Sequence, residues 1–407
     1  MPQNYIFMKM NFYTTMVKTT LISFSVLFIF LFSCDTKNKD LNNSSVGYEL
    51  FEAGELYISL DSLTPSKPPF VQLIKGTNQE DSLLTFYNVL NNSIYWYDLD
   101  RAEYLPKTPL VTEGENAIQR AVGYHIINQD SIFVYDMNRQ KLVLINQQGR
   151  KISENSLIGD EPSSDGNWTY KYPFLFPKTV TGMIRHKDEL IFAGSYIWAI
   201  PDRILDTFKF TVAYNIKTGN QKHYHTYPKS NFGSEFDWND PFYTTVYYDW
   251  NPKEEKMVYS FPISSSIFTA SLQEGSILQE VANTNDLQSA KPHSTKNPAI
   301  EEMLSHLIVS DIYQGFKYDP YNNVYYRVSL KGIADSGEHT DLSAKPIVII
   351  IYDAKFNILT EKQIGLSENW NHMNMLVTRE GLLIEYLDPN PETEDFLIFK
   401  KFQMTQN

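Results

Sequence analysis

Ser93-Ile94-Tyr95-Trp96-Tyr97-Asp98-Leu99-Asp100-Arg101 is answered 38 residues later by Ser131-Ile132-Phe133-Val134-Tyr135-Asp136-Met137-Asn138-Arg139. Both copies read Ser-Ile-aromatic-x-Tyr-Asp-apolar-Asp/Asn-Arg. Each follows a polar pair, Asn91-Asn92 or Gln129-Asp130, and each precedes another strand-like run. After the second copy that run is Lys141-Leu142-Val143-Leu144-Ile145-Asn146, closed by Gln147-Gln148-Gly149. Aromatic and β-branched residues fit a pleated, packed surface, and short polar pairs suit tight antiparallel turns. An Asp or Asn at the strand end can bond its own following backbone and set the turn. The stretch therefore predicts an antiparallel meander, repeated.

Fainter echoes extend the pattern. Thr211-Val212-Ala213-Tyr214-Asn215 and Ile349-Ile350-Ile351-Tyr352-Asp353 repeat the strand and its polar stop. Tyr248-Asp249-Trp250-Asn251-Pro252 leads into Met257-Val258-Tyr259 much as Tyr318-Asp319-Pro320 leads into Val324-Tyr325-Tyr326. A last unit runs from Met375 through Leu382–Tyr386 to Phe396–Phe399. Six units follow, starting near residues 83, 121, 182, 242, 315 and 371. Their spacing suits four-stranded blades, so the expected fold is an all-β, six-bladed β-propeller. A sheet edge left at the chain ends must be covered, and Glu55-Leu56-Tyr57-Ile58-Ser59-Leu60 is the candidate outer strand of the last blade. The alternatives are a β-sandwich or two smaller β domains. One helix interrupts the pattern. Asn297 is the expected cap, Pro298 the first position, and Ile300, Met303, Leu304, Leu307 and Ile308 follow at helical spacing. It reads as an insertion between the fourth and fifth units, with a second insertion around Glu161 to Pro177.

Composition agrees. The 407 residues are 42% apolar, enough for a core, which excludes intrinsic disorder. The 27 Tyr and 25 Phe favour strands. The net charge of −13 becomes −15 once a leader carrying Lys9 and Lys18 is removed. Such a surface repels phosphate backbones, so nucleic acid is not an expected partner. The single cysteine can form neither an internal disulfide nor a cysteine-based metal site.

That cysteine closes a leader. Lys18 and the apolar run Leu21 to Phe32 read as a signal peptide, and Leu31-Phe32-Ser33-Cys34 resembles a bacterial lipobox, with Phe32 bulkier than usual. Residues 1–33 are then cleaved, with Met16 the expected true start. Cys34 carries the lipid that anchors the chain to the membrane, and 34–46 form a polar tether. The propeller occupies 47–407. The expected address is the cell envelope, with the outer membrane preferred. Asp35 would favour inner-membrane retention in some bacteria.

A lipobox, a short tether and Asp130-Ser131-Ile132-Phe133-Val134-Tyr135-Asp136, preceded by Gly114-Glu115-Asn116-Ala117-Ile118, together resemble six-bladed propeller lipoproteins of the Bacteroidetes type. The resemblance is to the domain-of-unknown-function 4221 family. It implies the fold and a surface location, and brings no catalytic residues.

Chemistry is sparse. His223-Tyr224-His225 alternates so that both rings would share a strand face, as metal ligands do, but no third ligand is evident, and the pair reads as solvent-facing. Phosphate loops, catalytic elbows and calcium loops are absent from the sequence. The recurring Asp98, Asp136 and Asp353 read as turn-formers. Two aromatic loops are the ligand candidates: Trp168, Tyr170 and Tyr172 in one, Asp237 and Trp238 in the other. Rings beside carboxylates suit sugar or peptide recognition. The simpler reading, which we prefer, has Trp168 and Trp238 packing loops onto the ring. The expected function is non-enzymatic binding or scaffolding of a protein or glycan, with no cofactor. The alternative is a propeller hydrolase, lactonase-like or glycan-cleaving and possibly calcium-dependent, with carboxylates or histidines meeting at the channel mouth.

Overall fold

The computed structural model describes residues 47–75, 81–236, 238, 241–282, 290–293, 298–333 and 342–406. The leader, Cys34 and the tether lie outside the described residues, as do Asp237 and Asn297.

The first strand, β1 (Tyr48–Ser59), stands apart in the chain from the blade it completes. Blade 1 follows as β2 (Val71–Lys75), β3 (Asp81–Asn88), β4 (Ser93–Asp98) and β5 (Glu103–Pro109). Blade 2 holds β6 (Ala121–Asn128), β7 (Ser131–Asp136), β8 (Lys141–Ile145) and β9 (Lys151–Ser156). Blade 3 holds β10 (Ile184–His186), β11 (Glu189–Ala193), β12 (Thr211–Asn215) and β13 (Gln221–Tyr224), with helix α1 (Asp202–Thr207) between its middle strands. Blade 4 holds β14 (Tyr247–Asn251), β15 (Lys256–Ser260), β16 (Ile267–Ala270) and β17 (Gln279–Ala282). Helix α2 (Ile300–Val309) precedes blade 5, which holds β18 (Ile312–Asp319), β19 (Val324–Leu330), β20 (Pro346–Tyr352) and β21 (Ile358–Leu366). Blade 6 holds β22 (Trp370–Thr378), β23 (Gly381–Tyr386) and β24 (Phe396–Gln406), and β1 adds to β24 as its outer strand. The fold is thus the expected propeller of six four-stranded antiparallel blades.

Sequence pattern follows position in the blade. Middle strands are covered on both faces by neighbouring blades, so they are apolar throughout rather than alternating. All seven residues of β19 are buried, as are six of seven in β20. The outer strand β9, Lys151-Ile152-Ser153-Glu154-Asn155-Ser156, has no fully buried residue.

The founding repeat is real but out of step. Ser93–Asp98 is the third strand of its blade, whereas Ser131–Asp136 is the second. Both sit mid-blade with near-complete burial, so the shared motif reports that environment and not equivalent positions. This offset also explains the late start assigned to the first unit, whose inner strand begins at Val71 rather than near 83. The aspartates differ too. Asp98 accepts from the backbone of Asp100 and Arg101, and Asp353 from Lys355 and Asn357, as turn-formers do. Asp136 is fully buried, takes the Gln119 and Arg120 amides, and pairs with Arg139 at 2.7 Å.

The closing strand was legible and is found. β1 pairs with β24 from Tyr48↔Gln406 to Ser59↔Phe396, with a bulge between Glu52 and Gly54. Gly54 takes φ of 138° there, a conformation only glycine adopts without strain. Lys400 joins Glu52 (2.9 Å) and Glu55 (3.3 Å) across the seam.

Blades are tied sideways by polar groups as well as rings. Arg327 on β19 is fully buried, and its guanidinium donates to Ser260 Oγ (2.9 Å) and to the carbonyls of Ser264 (2.6 Å) and Ser265 (2.8 Å) in blade 4. The Tyr313 ring lies 3.4 Å away. Five fixed donors can be satisfied by carbonyls and a ring face without a carboxylate.

A plug sits on the ring axis. The turn Thr179–Thr181 lies between blades 2 and 3, and Val180 is fully buried. Thr179 Oγ1 accepts from Val71 N of blade 1 (2.9 Å) and donates to Asn374 Oδ1 of blade 6 (2.5 Å). Tyr248 of blade 4 donates to the Thr181 carbonyl (2.9 Å). A Cβ on Gly315 of blade 5 would meet Val180 at 3.6 Å. Asn374 also donates to Glu385 (2.5 Å), whose carboxyl burial pushes up to about 8.

Helix α2 begins at Ile300 with Ala299 at its cap position, and only Leu307 of its apolar residues is fully buried. Lys345 holds its far end, donating to the carbonyls of Leu307 (2.6 Å) and Ser310 (2.6 Å). Helix α1 was not anticipated; six residues give too short a period to read.

The plug makes a specific demand on blade 2. A Cβ at Gly123 would lie 2.5 Å from Pro177 Cβ. Gly123→Ala is expected to lose about 2 kcal/mol in denaturant unfolding, against a change within about 0.5 kcal/mol for the surface control Glu113→Ala. Equal effects would contradict the axial plug.

Candidate functional site

An antiparallel meander fixes two faces. The connections between blades and the turns joining second to third strands share one face, here called upper. The turns joining first to second and third to fourth strands share the lower face. Both insertions and both helices are therefore upper-face features.

The first aromatic loop divides. Trp168 is buried at 4% exposure and stacks on Phe174 (5.8 Å, 12°). Tyr170, 49% exposed, stacks on Trp198 (5.6 Å, 12°), itself 41% exposed. Trp198 Nε1 donates to Thr169 Oγ1 (2.9 Å), which fixes the indole against the loop. Tyr172 is half-buried against His223 (5.7 Å). In the second loop Trp238 is buried and donates to the Asn231 carbonyl (2.8 Å), with Tyr243 beside it at 5.3 Å. Both tryptophans are thus buried against their own loops. Among the predicted residues that the structure describes, Tyr170 alone joins an exposed platform. Its partner Trp198 was missed, because a lone Trp in a loop carries no periodic signal.

A wider asymmetry surrounds that platform. Seventeen large apolar residues are exposed among the described residues, and twelve belong to the upper face. Tyr170, Phe176, Trp198 and Phe242 come from the loops around blade 3, and Ile300, Leu304 and Val309 from α2. Leu63, Val89, Leu90, Val111 and Leu366 come from the other upper connections. Among the described residues the lower face contributes only Ile277, Tyr321 and Ile358. Exposed apolar side chains need no explanation singly, but a face that gathers them does.

The channel is a separate feature. Its wall includes Asp249, His125 and Lys317. Among the described residues no three His, Cys, Asp or Glu side chains are grouped so as to hold a metal ion.

The histidine pair is corrected. His225 is buried, not solvent-facing. It lies just beyond β13 with φ of 59°, so it does not continue the strand alternation. Its Nδ1 shares a hydrogen bond with Tyr259 (2.7 Å) and its Nε2 one with the Ser271 carbonyl (2.9 Å). Burial lowers its imidazole to about 4, and does the same for His372, whose Nε2 meets Gln314 Oε1 at 2.8 Å. Both stay neutral in the fold while an unfolded histidine protonates near 6.5. The unfolded chain therefore binds more protons below that pH, and stability is lost as pH falls from about 6.5 toward 4. Each group accounts for up to about 3 kcal/mol over that window. His372→Gln is expected to flatten the fall in unfolding midpoint between pH 7 and pH 4.5; an unchanged slope would show that His372 is not buried neutral.

Comparison with known proteins agrees with this geometry. A crystal structure of a DUF4221 member from Bacteroides vulgatus ATCC 8482 superposes with a TM-score of 0.71 at 20% identity, covering 89% of this chain and 99% of that one. A Bacteroides fragilis NCTC 9343 protein described as exported superposes with a TM-score of 0.51 at 12% identity, covering 90% and 98%. At such identities the likeness is one of fold. No curated protein matches the sequence. No described helix is long and apolar enough to cross a membrane. The profile of the DUF4221 family, a domain of unknown function, matches residues 47–363, from the start of β1 into the outer strand of blade 5. The chain belongs to the DUF4221 family.

Proposed function

We propose that this protein is a lipid-anchored binding module of the bacterial cell envelope that holds a protein partner on its upper face. The observation that carries the reading is the gathering of exposed apolar side chains on that face. Aliphatic residues such as Leu90, Ile300 and Leu304 are spread among the rings, which suits a protein surface better than a sugar, for which aromatic platforms alone would serve. Loops on a rigid ring can vary without disturbing the strands beneath.

The anchor fits this arrangement. β1 is an outer strand whose first residues pair with the last residues of β24, so the body's first strand starts at the lower rim. A lipid on Cys34 would hold the chain by that rim, on a tether of 13 residues spanning at most about 45 Å.

Two measurements test the reading separately. Cys34→Ser is expected to abolish incorporation of labelled fatty acid and to move the protein from the membrane to the soluble fraction; retention with label would contradict the anchor. Photo-crosslinking residues placed at Leu90, Trp198 and Leu304 in cells should give one discrete protein adduct, absent when placed at Ile277 and Ile358. Adducts at the lower positions alone, or none at any, would contradict the upper face as the docking surface. Adducts to glycan would replace the protein partner with a sugar.

A further inference from the structure

We infer that the central channel is a second binding site, open at the lower face and built for a small organic anion with an apolar body. Inner strands from all six blades and the axial plug enclose a cavity of about 290 Å³. That is close to the lower end of small-ligand pockets, about 300–1,000 Å³. Thr179 and Gly182 of the plug belong to its wall, as do Pro320 and Tyr321 of the β18–β19 turn, so it runs from the plug to the lower mouth.

The wall mixes apolar and polar side chains along this path. Phe70 and Met183 stand just before the inner strands of blades 1 and 3, at the plug end, and Met375 and Leu376 line blade 6. Toward the mouth stand Asp249 and Lys317, past the midpoints of β14 and β18 or at them. Their states differ. Asp249 Oδ1 accepts from Trp250 N (2.8 Å) and Oδ2 from Tyr318 N (2.9 Å), so both carboxylate oxygens are engaged by backbone amides. Lys317 makes no ion pair among the described residues. Lys317 is thus a wall cation without an ion-pair partner among the described residues, in a wall lined largely by apolar side chains. A charge-assisted bond from the ammonium to a carboxylate is worth more than one to a neutral hydroxyl, and the apolar lining rewards hydrocarbon. This site differs from the upper face in position and chemistry, and stands or falls without it.

The test uses the full chain in lipid nanodiscs, titrated with 3-phenylpropanoate and octanoate, and with 3-phenylpropanol and octylamine as the neutral and cationic controls. Saturable binding of the carboxylates is expected, at least tenfold tighter than either control. Lys317→Met should weaken it at least tenfold, and Val377→Trp, which fills the channel from blade 6, should abolish it, both with unchanged melting temperature. Trp198→Asp on the upper face should leave it unaltered. The site is overturned if neither carboxylate binds saturably, if the alcohol binds as well as the acid, or if both channel variants bind like the parent.

Discussion

The structure depends on one strand pairing. β24 is the last strand in the chain and would be a bare edge if β1 did not lie along it. Eleven residue pairs join the two, with the longest strands of the molecule on either side of the seam. An open arc of six blades would leave an unpaired edge on blade 6 and an uncovered side on blade 1. The pairing turns an arc into a ring. Only in a ring do blades 6 and 1 cover each other, as the shared cluster of Ile58, Leu84, Phe86, Leu383, Leu397 and Phe399 shows.

The other features follow from closure. Because every blade has two neighbours, its middle strands are buried on both sides, which is why Ile347 to Tyr352 can be apolar without interruption. Because the inner strands converge, an axial space remains, and the segment around Val180 fills one end of it. Because all blades wind the same way, inter-blade insertions fall on one face, where they expose apolar side chains, while the body's first strand begins on the other. Exposed apolar loops, channel and the start of the body's first strand are thereby separated by the topology itself.

The sequence displays some of this and conceals the rest, for physical reasons. Burial on both faces stamps middle strands with a visible motif, so Ser93–Asp98 and Ser131–Asp136 are easily found. That same environment recurs in second and third strands, so the motif cannot say which is which. The short inner strand Val71–Lys75 carries no such stamp. Glu55–Leu60 could be assigned to the closing edge because a ring requires one. Site residues were less legible. Trp168 and Trp238 look alike in sequence to Trp198, yet only the last stays exposed, and that difference is decided by ring contacts from Phe174 and Tyr243 that no spacing announces. His225 departs from alternation through a single positive φ. The channel is composed of one or a few residues from each of six strands, a set that no linear spacing encodes.

Closure can be tested directly by a covalent bond across the seam. Glu49 and Thr405 are direct partners in β1 and β24, and both are exposed. Partners across an antiparallel pair stand about 4.5–5.5 Å apart, within disulfide reach. In a chain carrying Glu49→Cys, Thr405→Cys and Cys34→Ser, the account predicts quantitative intramolecular disulfide formation under mild oxidation. Closing so long a loop should raise unfolding stability by on the order of 5 kcal/mol over the reduced form. Free thiols after oxidation, or a disulfide formed between two molecules, would contradict a ring closed by its own first strand.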